Sequence, residues 1–330
     1  MGVSGGQVAV LAIDAGNSKT DVALVGADGS VLGTARGGGF QPPLVGVEAA
    51  VDVLGAAVAE AAGAAGLDAP PYAEHVSACL ANADLPVEEA ELTTALERRG
   101  WAGTTEVRND TFAILRAGVD EPRGVAVVCG AGINCVGMLP DGRTARFPAI
   151  GRISGDWGGG GGLAEEAMWF AARAEDGRGE PTELARALPA HFGLPTMYAL
   201  IEALHLGLIP SGRRHEMTPV LFAVSAAGDA VARSLVHRLA EEVVAMSTVA
   251  LARLGLLAEE APVVLGGSVL AARHPVLDTR ITELLATRAP KAELRVVSAP
   301  PVLGAALLGL DRVNADATAA TRLRQRYAAA

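Results

Sequence analysis

The chain has 330 residues, a formal net charge of −10, half of its residues hydrophobic and only 4% aromatic. The acidic balance argues against nucleic acid or an anionic membrane surface as partner, and no run of about 18 uncharged apolar residues reads as a membrane span. The length predicts two domains, with alanine-rich cores built from small aliphatic contacts.

Cys79, Cys129 and Cys135 are too few and too scattered for a disulfide framework or a zinc site. The opening residues, MGVSGGQVAV, lack the basic region of a secretory signal. Both observations predict a cytoplasmic protein.

Val8–Ile13 is an apolar run that reads as a buried strand. It ends at Asp14. Gly16, Asn17, Ser18, Lys19 and Thr20 then form a tight polar turn before a second run, Val22–Val25, and the hairpin signal Asp28-Gly29. Such a turn presents N–H groups and hydroxyls that suit phosphate oxygens. An aspartate at the strand end suits Mg²⁺, which takes few carboxylates and keeps its waters. An ordinary β-turn with a solvated lysine is the alternative. Arg36–Gly46, rich in glycine and proline, reads as a loop.

Val47–Ala65 has helical spacing. His75–Leu80 is a short strand opening into Ala81–Asp84, and Pro86 starts a helix whose Glu88, Glu89 and Glu91 match the helix dipole in the ordinary way. Thr105–Arg108 is a strand that stops at Asn109-Asp110, with a helix over Thr111–Ala117. A carboxylate at that point lies where open α/β sheets place their ligands; capping the helix is its other role.

The opening pattern then recurs. Val125–Cys129 is a strand, Gly130–Asn134 a glycine turn, Cys135–Met138 a return strand and Asp141-Gly142 a hairpin turn. This echo predicts a duplicated domain with a phosphate-facing turn in each copy. Gly158–Gly162, before a helix over Leu163–Ala174, can cradle an anion or act as a flexible hinge; Glu165 and Glu166 disfavour a phosphate there, and the run reads as a loop approaching substrate closely. Residues 181–257 are mostly helical, with interruptions near Pro195 and Pro210. The apolar face of Glu241–Leu257 can pack within the chain or against a partner, and packing within the chain is the expectation. Pro262–Leu265 is a strand ending at Gly266-Gly267-Ser268, Val296-Val297 is the last strand, and a final helix opens at Gly304.

A Walker A loop is excluded because Ser18, not glycine, precedes Lys19. The run from Gly130 to Cys135 lacks the last glycine of a dinucleotide fingerprint, and no Gly-x-Ser-x-Gly elbow is present.

Taken together, these turns resemble the actin-like, sugar-kinase and heat-shock-chaperone ATPase superfamily, and within it the BadF/BadG-type ATPase and N-acetylglucosamine kinase family. DAGNSKTD at Asp14–Asp21 is similar to the family's DGGGTKTD, and CGAGINC at Cys129–Cys135 to SGTGSNC. LANAD at Leu80–Asp84 resembles LAGAD, NDT at Asn109–Thr111 resembles NDA, and GDWGG at Gly155–Gly159 resembles GDEGS. LGGS at Leu265–Ser268 matches the adenosine-motif glycines. The resemblance covers nearly the whole chain in order.

It implies an α/β fold of two ribonuclease-H-like (actin-like ATPase) domains around a central cleft. Residues 1–118, rejoined by a C-terminal helix over 304–330, form the acceptor side, and 119–303 form the second domain. It implies ATP and Mg²⁺ as cofactors and an amino sugar, N-acetylglucosamine first, as acceptor. Asp110 is then the general base and Asp14 the Mg²⁺ anchor. Gly16, Asn17, Ser18, Lys19 and Thr20, with Gly130, Ala131, Gly132 and Asn134, hold phosphates. Gly266, Gly267 and Ser268 meet the adenosine. Gln41, Asn82, Asp84, Asn109, Asp110 and Asp156 contact the sugar. Homodimers are common in the resembling family.

Ala131, Ile133, Trp157 and Asn82 depart from the family's threonine, serine, glutamate and glycine, chiefly on the acceptor side. Two other readings stand beside the kinase. One is an ATP-driven activator of a dehydratase or reductase, which needs paired cysteines for an iron–sulfur cluster. The other is a non-catalytic nucleotide-dependent binding module.

Overall fold

The computed structural model describes residues 8–328. The elements run β1 (Val8–Ala15), β2 (Thr20–Gly26), β3 (Val31–Gly37), α1 (Pro42–Val45), α2 (Val47–Ala64), β4 (Ala73–Leu80), α3 (Pro86–Glu97), β5 (Ala102–Asn109) and α4 (Thr111–Gly118). They continue with β6 (Gly124–Cys129), β7 (Ile133–Met138), β8 (Thr144–Arg146), α5 (Gly159–Glu175), α6 (Leu184–His191), α7 (Met197–His205), α8 (Met217–Ala226) and α9 (Ala230–Arg253). The last are β9 (Ala261–Gly266), α10 (Gly267–Ala271), α11 (Pro275–Arg288), β10 (Ala292–Val296), α12 (Pro301–Arg312) and α13 (Ala317–Ala328).

Two five-stranded sheets result, ordered β3-β2-β1-β4-β5 and β8-β7-β6-β9-β10. Each begins with a three-strand meander and ends with two strands reached through helices, so the echo in the sequence is an echo in topology. In the first sheet β1 pairs antiparallel with β2 and parallel with β4, and β4 pairs parallel with β5. Two compact units divide the chain. One holds residues up to Ala126, Val136–Pro148 and the chain from Val297 onward; the other holds Val127–Cys135 and Ala149–Val296.

β1 is buried along its whole length, which is why it reads as an unbroken apolar run rather than an alternating one. One face meets α2 through a cluster including Leu11, Ile13, Val51, Leu54 and Val58. The other face meets α12, which also packs on α4. Gly304 and Gly309 permit that approach. A Cβ on Gly304 would lie 1.7 Å from the Ala113 carbonyl oxygen, and one on Gly309 would lie 2.3 Å from a Val10 methyl.

Several boundaries differ from the sequence reading. Part of the expected loop at Arg36–Gly46 is ordered: Arg36 and Gly37 end β3, and Pro42–Val45 form a short helix that two prolines at its start pre-organise. Helix α5 begins inside the glycine run. The last strand is Ala292–Val296, earlier than Val296-Val297. The C-terminal helix expected over 304–330 is two helices, α12 and α13, separated where Asn314 takes a left-handed φ of 52°. The apolar face of Glu241–Leu257 lies mostly on α9, where Val243, Val244, Met246, Ser247, Ala250 and Leu251 are buried. No single described helix is long and apolar enough to cross a membrane. The opening stretch read for a signal sequence lies, up to residue 7, outside the described residues.

Candidate active site

Strand register brings the first group of expected site residues together. Ala15 pairs with Leu80 and Leu80 with Asn109, so β1, β4 and β5 end level. Beyond the paired residues, Ala81 N–H donates to the Ala15 carbonyl (2.7 Å) and Asp110 N–H to that of Leu80 (3.2 Å). The turns after all three strands therefore leave one sheet edge, as parallel strands in open α/β sheets do.

Asp14, 8% exposed, is pushed up to about 8, first by burial and then by the charges of Asp110 and Asp21, with Lys19 opposing. Burial likewise raises Asp110 to about 6. Asp110 stands at the N-cap of α4, where its side chain makes no capping bond deeper in the helix; the Thr111 amide, its own amide and the Thr111 hydroxyl oppose the effect of burial on its carboxyl. Cys79, between these acids on β4, is buried and its thiol is pushed well above the ordinary range, chiefly by burial.

The first turn is closed by Gly16 N–H to the Lys19 carbonyl (2.9 Å) and tied to the next loop by Phe40 N–H to the Gly16 carbonyl (2.9 Å). Thr20 is buried and spends its hydroxyl on the Gly38 carbonyl (2.8 Å). Asn17, Ser18 and Lys19 are exposed. Lys19 is not merely solvated: its Nζ lies 3.1 Å from Asp21, which Arg36 also meets at 2.6 Å. Burial pushes Asp21 up, but Arg36 and Lys19 outweigh it and hold its carboxyl below the usual range.

Gln41 and Asn82, expected at the sugar, are both turned to this turn. Gln41 Nε2 donates to the Asn17 carbonyl (2.7 Å). Asn82 Nδ2 donates to Asn17 Oδ1 (3.0 Å) and the Phe40 carbonyl (3.2 Å).

On the acceptor side, Asn109 Nδ2 donates to Asp84 Oδ1 (2.8 Å), and Asn109 Oδ1 accepts from Thr111 N–H (3.0 Å). Glu88 and Glu89 do more than match a dipole. Glu88 Oε2 accepts from the N–H groups of Asp84 (3.0 Å) and Leu85 (2.8 Å). Glu89 accepts from Asn109 N–H (3.2 Å) and from Arg146 (2.6 Å). Sequence reasoning passes over Arg146 because nothing local to β8 marks it; the only signal is an isolated arginine at a strand end.

The second group lies in the other unit. There Gly130 N–H donates to the Gly132 carbonyl (2.9 Å). Asn134 Oδ1 accepts from the N–H of Cys135 (2.7 Å). The glycine run is not a free cradle: Gly160 and Gly161 N–H donate to the carbonyls of Gly130 (2.7 Å) and Ala131 (3.0 Å). The first amides of α5, which a helix ordinarily leaves open, are used up by the turn. Gly159, at φ 73°, lets the backbones touch; a Cβ there would be 2.6 Å from Gly132 Cα. Gly267, at φ 81°, does the same against Cys129, where a Cβ would be 2.4 Å from the carbonyl oxygen. Gly266 is buried and Ser268 exposed.

Beside this turn is a cavity of about 260 Å³ lined by Ala131, Gly132, Arg152, Asp156, Trp157 and Glu165 among others. Asp156 Oδ2 accepts from Gly151 N–H (2.9 Å) and Ser154 Oγ (2.7 Å). Trp157 is buried, with the Arg238 guanidinium 4.3 Å from its ring centroid. Burial and then the Asp156 charge raise Glu242, with Arg238 opposing.

Asp14 suits a hydrated Mg²⁺: its carboxylate is buried beside two other acids, a repulsion that a bound cation relieves. No three His, Cys, Asp or Glu side chains gather as a metal site among the described residues. All three cysteines are buried.

The profile of the BadF/BadG/BcrA/BcrD ATPase family matches residues 11–309. The chain is 27% identical over 235 residues (71% of this chain, 76% of the relative) to an N-acetylmuramic acid/N-acetylglucosamine kinase of Clostridium acetobutylicum. It is 24% identical over 241 residues (71% and 75%) to an N-acetyl-D-glucosamine kinase of Dictyostelium discoideum. Its fold matches that of a candidate N-acetylglucosamine kinase from Chromobacterium violaceum with a TM-score of 0.71 at 22% identity, over 92% of this chain and 99% of the other. It also matches a glucokinase of the ROK family from Streptomyces griseus with a TM-score of 0.55 at 19% identity, over 92% and 98%. The fold is that of the two-domain actin-like ATPase sugar kinases, and the chain belongs to the BadF/BadG/BcrA/BcrD ATPase family.

Proposed function

We propose that this protein is an ATP-dependent sugar kinase that phosphorylates an N-acetylhexosamine, N-acetylglucosamine first, with Asp110 as general base. The observation that carries the reading is a buried carboxylate, raised to about 6, on the same sheet edge as a polar turn and a second buried acid. A base poised there takes a hydroxyl proton near neutral pH. The names of the curated relatives support the acceptor class.

In this reaction the sugar hydroxyl oxygen bonds to the γ-phosphorus, the bond to the β–γ bridging oxygen breaks, ADP leaves, and the hydroxyl proton passes to Asp110. Asn109 and Asp84, bonded to one another, orient the acceptor. Gly16–Thr20 offers N–H groups and the Lys19 charge to phosphate oxygens, and Gly130–Asn134 and Gly266–Ser268 serve the rest of the nucleotide. Asp14 would hold Mg²⁺, which, when bound, neutralises charge on the transferring phosphoryl group. Positioning and charge stabilisation then supply most of the rate.

The test is ADP release with Mg²⁺·ATP across a panel of N-acetylglucosamine, N-acetylmuramic acid, glucosamine and glucose. Turnover with an N-acetylated sugar well above the sugar-free rate supports the reading; equal rates with and without every sugar defeat it.

A further inference from the structure

The geometry points to the Arg146–Glu89 ion pair as the positioning device of the acceptor side, an inference that rests on the kinase reading above. One guanidinium gathers two separate segments. Arg146 Nη1 donates to Glu89 Oε2 at 2.6 Å, and Glu89 Oε1 in turn accepts from the Asn109 amide at 3.2 Å. Arg146 Nη2 reaches the carbonyls of Ala83 (3.4 Å) and Asp84 (3.3 Å). The two segments held in this way are those whose side chains meet, through Asn109 Nδ2 and Asp84 Oδ1. Asp110 directly follows Asn109, so the pair braces the residue next to the base, whose own amide is held by the Leu80 carbonyl (3.2 Å).

The pair is built to hold one arrangement. Arg146 and Glu89 side chains are 25% and 17% exposed, so neither is a solvated surface ion. The guanidinium lies 5.7 Å from the centroid of the buried Phe112 ring, whose other near cation is Arg108 at 5.6 Å. Glu89 sits in the first turn of α3, where the dipole favours its charge. A planar fork that serves a carboxylate and two carbonyls at once is a task for arginine that lysine's single ammonium fills only in part. Neither residue touches the transferring group; both act through Asn109, Asp84 and the backbone of Asp110.

The test is steady-state kinetics of Arg146→Met, Arg146→Lys, Glu89→Gln and the Arg146→Met/Glu89→Gln double variant in the full chain. Arg146→Met is expected to lose about a hundredfold in kcat/KM for the sugar, the loss that a displacement of about 1 Å brings. The KM for ATP should stay within about twofold, since the first turn is untouched. Arg146→Lys should recover part of the loss, and the double variant should lose no more than Arg146→Met, because the pair acts as a unit. An unchanged sugar kcat/KM, an equal rise in the KM for ATP, or additive losses would overturn the inference. Should Arg146→Met fail to fold, Arg146→Lys and Glu89→Gln carry the same comparison. If the unaltered protein shows no sugar-dependent ADP release, it is the kinase reading that falls. Deuterium uptake at the Asn109 amide then decides the positioning role: faster uptake in Arg146→Lys upholds it, and unchanged uptake refutes it.

Discussion

Asp110 lies close enough to Asp14 that, after burial, its charge is the largest influence raising the Asp14 carboxyl to about 8. Asp14 is the penultimate residue of β1 and Asp110 directly follows β5, with β4 between the two strands. Like charges held at one sheet edge destabilise the protein alone and suit it to a cation and a reacting hydroxyl. Strain of this electrostatic kind is typical of sites kept for chemistry rather than stability.

The first consequence is a dependence of stability on pH. Asp14 rises from 3.8 to about 8 on folding, so between these values the folded state binds more protons than the unfolded one. Stability from this group therefore falls as pH rises through that window. Asp14→Asn, which carries no charge, escapes the loss. Melting in metal-free buffer should show the variant more stable than the parent at pH 8, with the difference shrinking toward pH 4. The stabilisation that Mg²⁺·ATP gives the parent should vanish in the variant. A melting difference that does not change with pH would contradict the assignment.

The second concerns the base. Asp110→Asn should lower kcat by about 10²–10⁴, the usual contribution of a positioned proton acceptor. The melting shift produced by Mg²⁺·ATP should persist, because the first turn does not depend on the Asp110 side chain. In the parent, kcat/KM should rise with pH through about 6, where Asp110 loses its proton. Wild-type turnover in the variant would exclude Asp110 from proton transfer.

The third separates the two glycine bends. A Cβ on Gly39 would lie 2.2 Å from the Asn17 carbonyl oxygen, so Gly39→Ala must push the first turn out of place. Gly267→Ala meets Cys129 and also forces an alanine to φ 81°, which costs on the order of 1–2 kcal/mol before any clash. Both should raise the KM for ATP by tenfold or more, on the estimate that each displaces a turn by about 1 Å. Gly46→Ala is the control: it too has positive φ, but nothing lies within 4 Å of its added Cβ. It should lower the melting temperature with the KM for ATP unchanged.

The strands and turns at the site were legible because each carries a local cue. β1, β6 and β9 are short apolar runs that stop at glycine, and β5 stops at Asn109-Asp110. Turn residues and periodicity are read within a few positions of one another. What was not legible depends on distance along the chain. That Gln41 and Asn82 turn back to Asn17, or that Arg146 serves Glu89 and the Asp84 carbonyl, follows from tertiary packing across 24 to 65 residues. The glycine run failed for a different reason. Glycine disfavours a helix interior, so Gly159–Gly162 read as a loop; close contact with the Gly130–Gly132 turn overrides that preference. The break between α12 and α13 carries no such local cue, because Asn314 supplies the left-handed bend without glycine or proline to announce it.

The last prediction tests what holds the C-terminal helices to the first sheet's unit. Arg116 is 3% exposed and meets Asp311 on α12 through both nitrogens of its fork, at 2.7 and 3.0 Å. Its remaining nitrogen donates to the carbonyls of Val119 (3.0 Å) and Asp120 (3.1 Å), past the end of α4. Arg324 on α13 donates to the carbonyls of Ala117 (2.8 Å), Arg116 (3.1 Å) and Val119. Two arginines thus satisfy carbonyls that the end of α4 leaves open, where a helix dipole favours cations. Arg116→Met removes these bonds and leaves Asp311, 36% exposed, to find solvent, so the loss should be about 2–4 kcal/mol rather than that of a fully buried ion. Arg116→Lys should recover little, because an ammonium cannot span Asp311 and the carbonyls together. Urea unfolding should show a lower midpoint at unchanged slope, and sugar and ATP KM values measured well below the melting temperature should match the parent. An unshifted midpoint would mean that α12 is held by the Gly304 and Gly309 contacts alone.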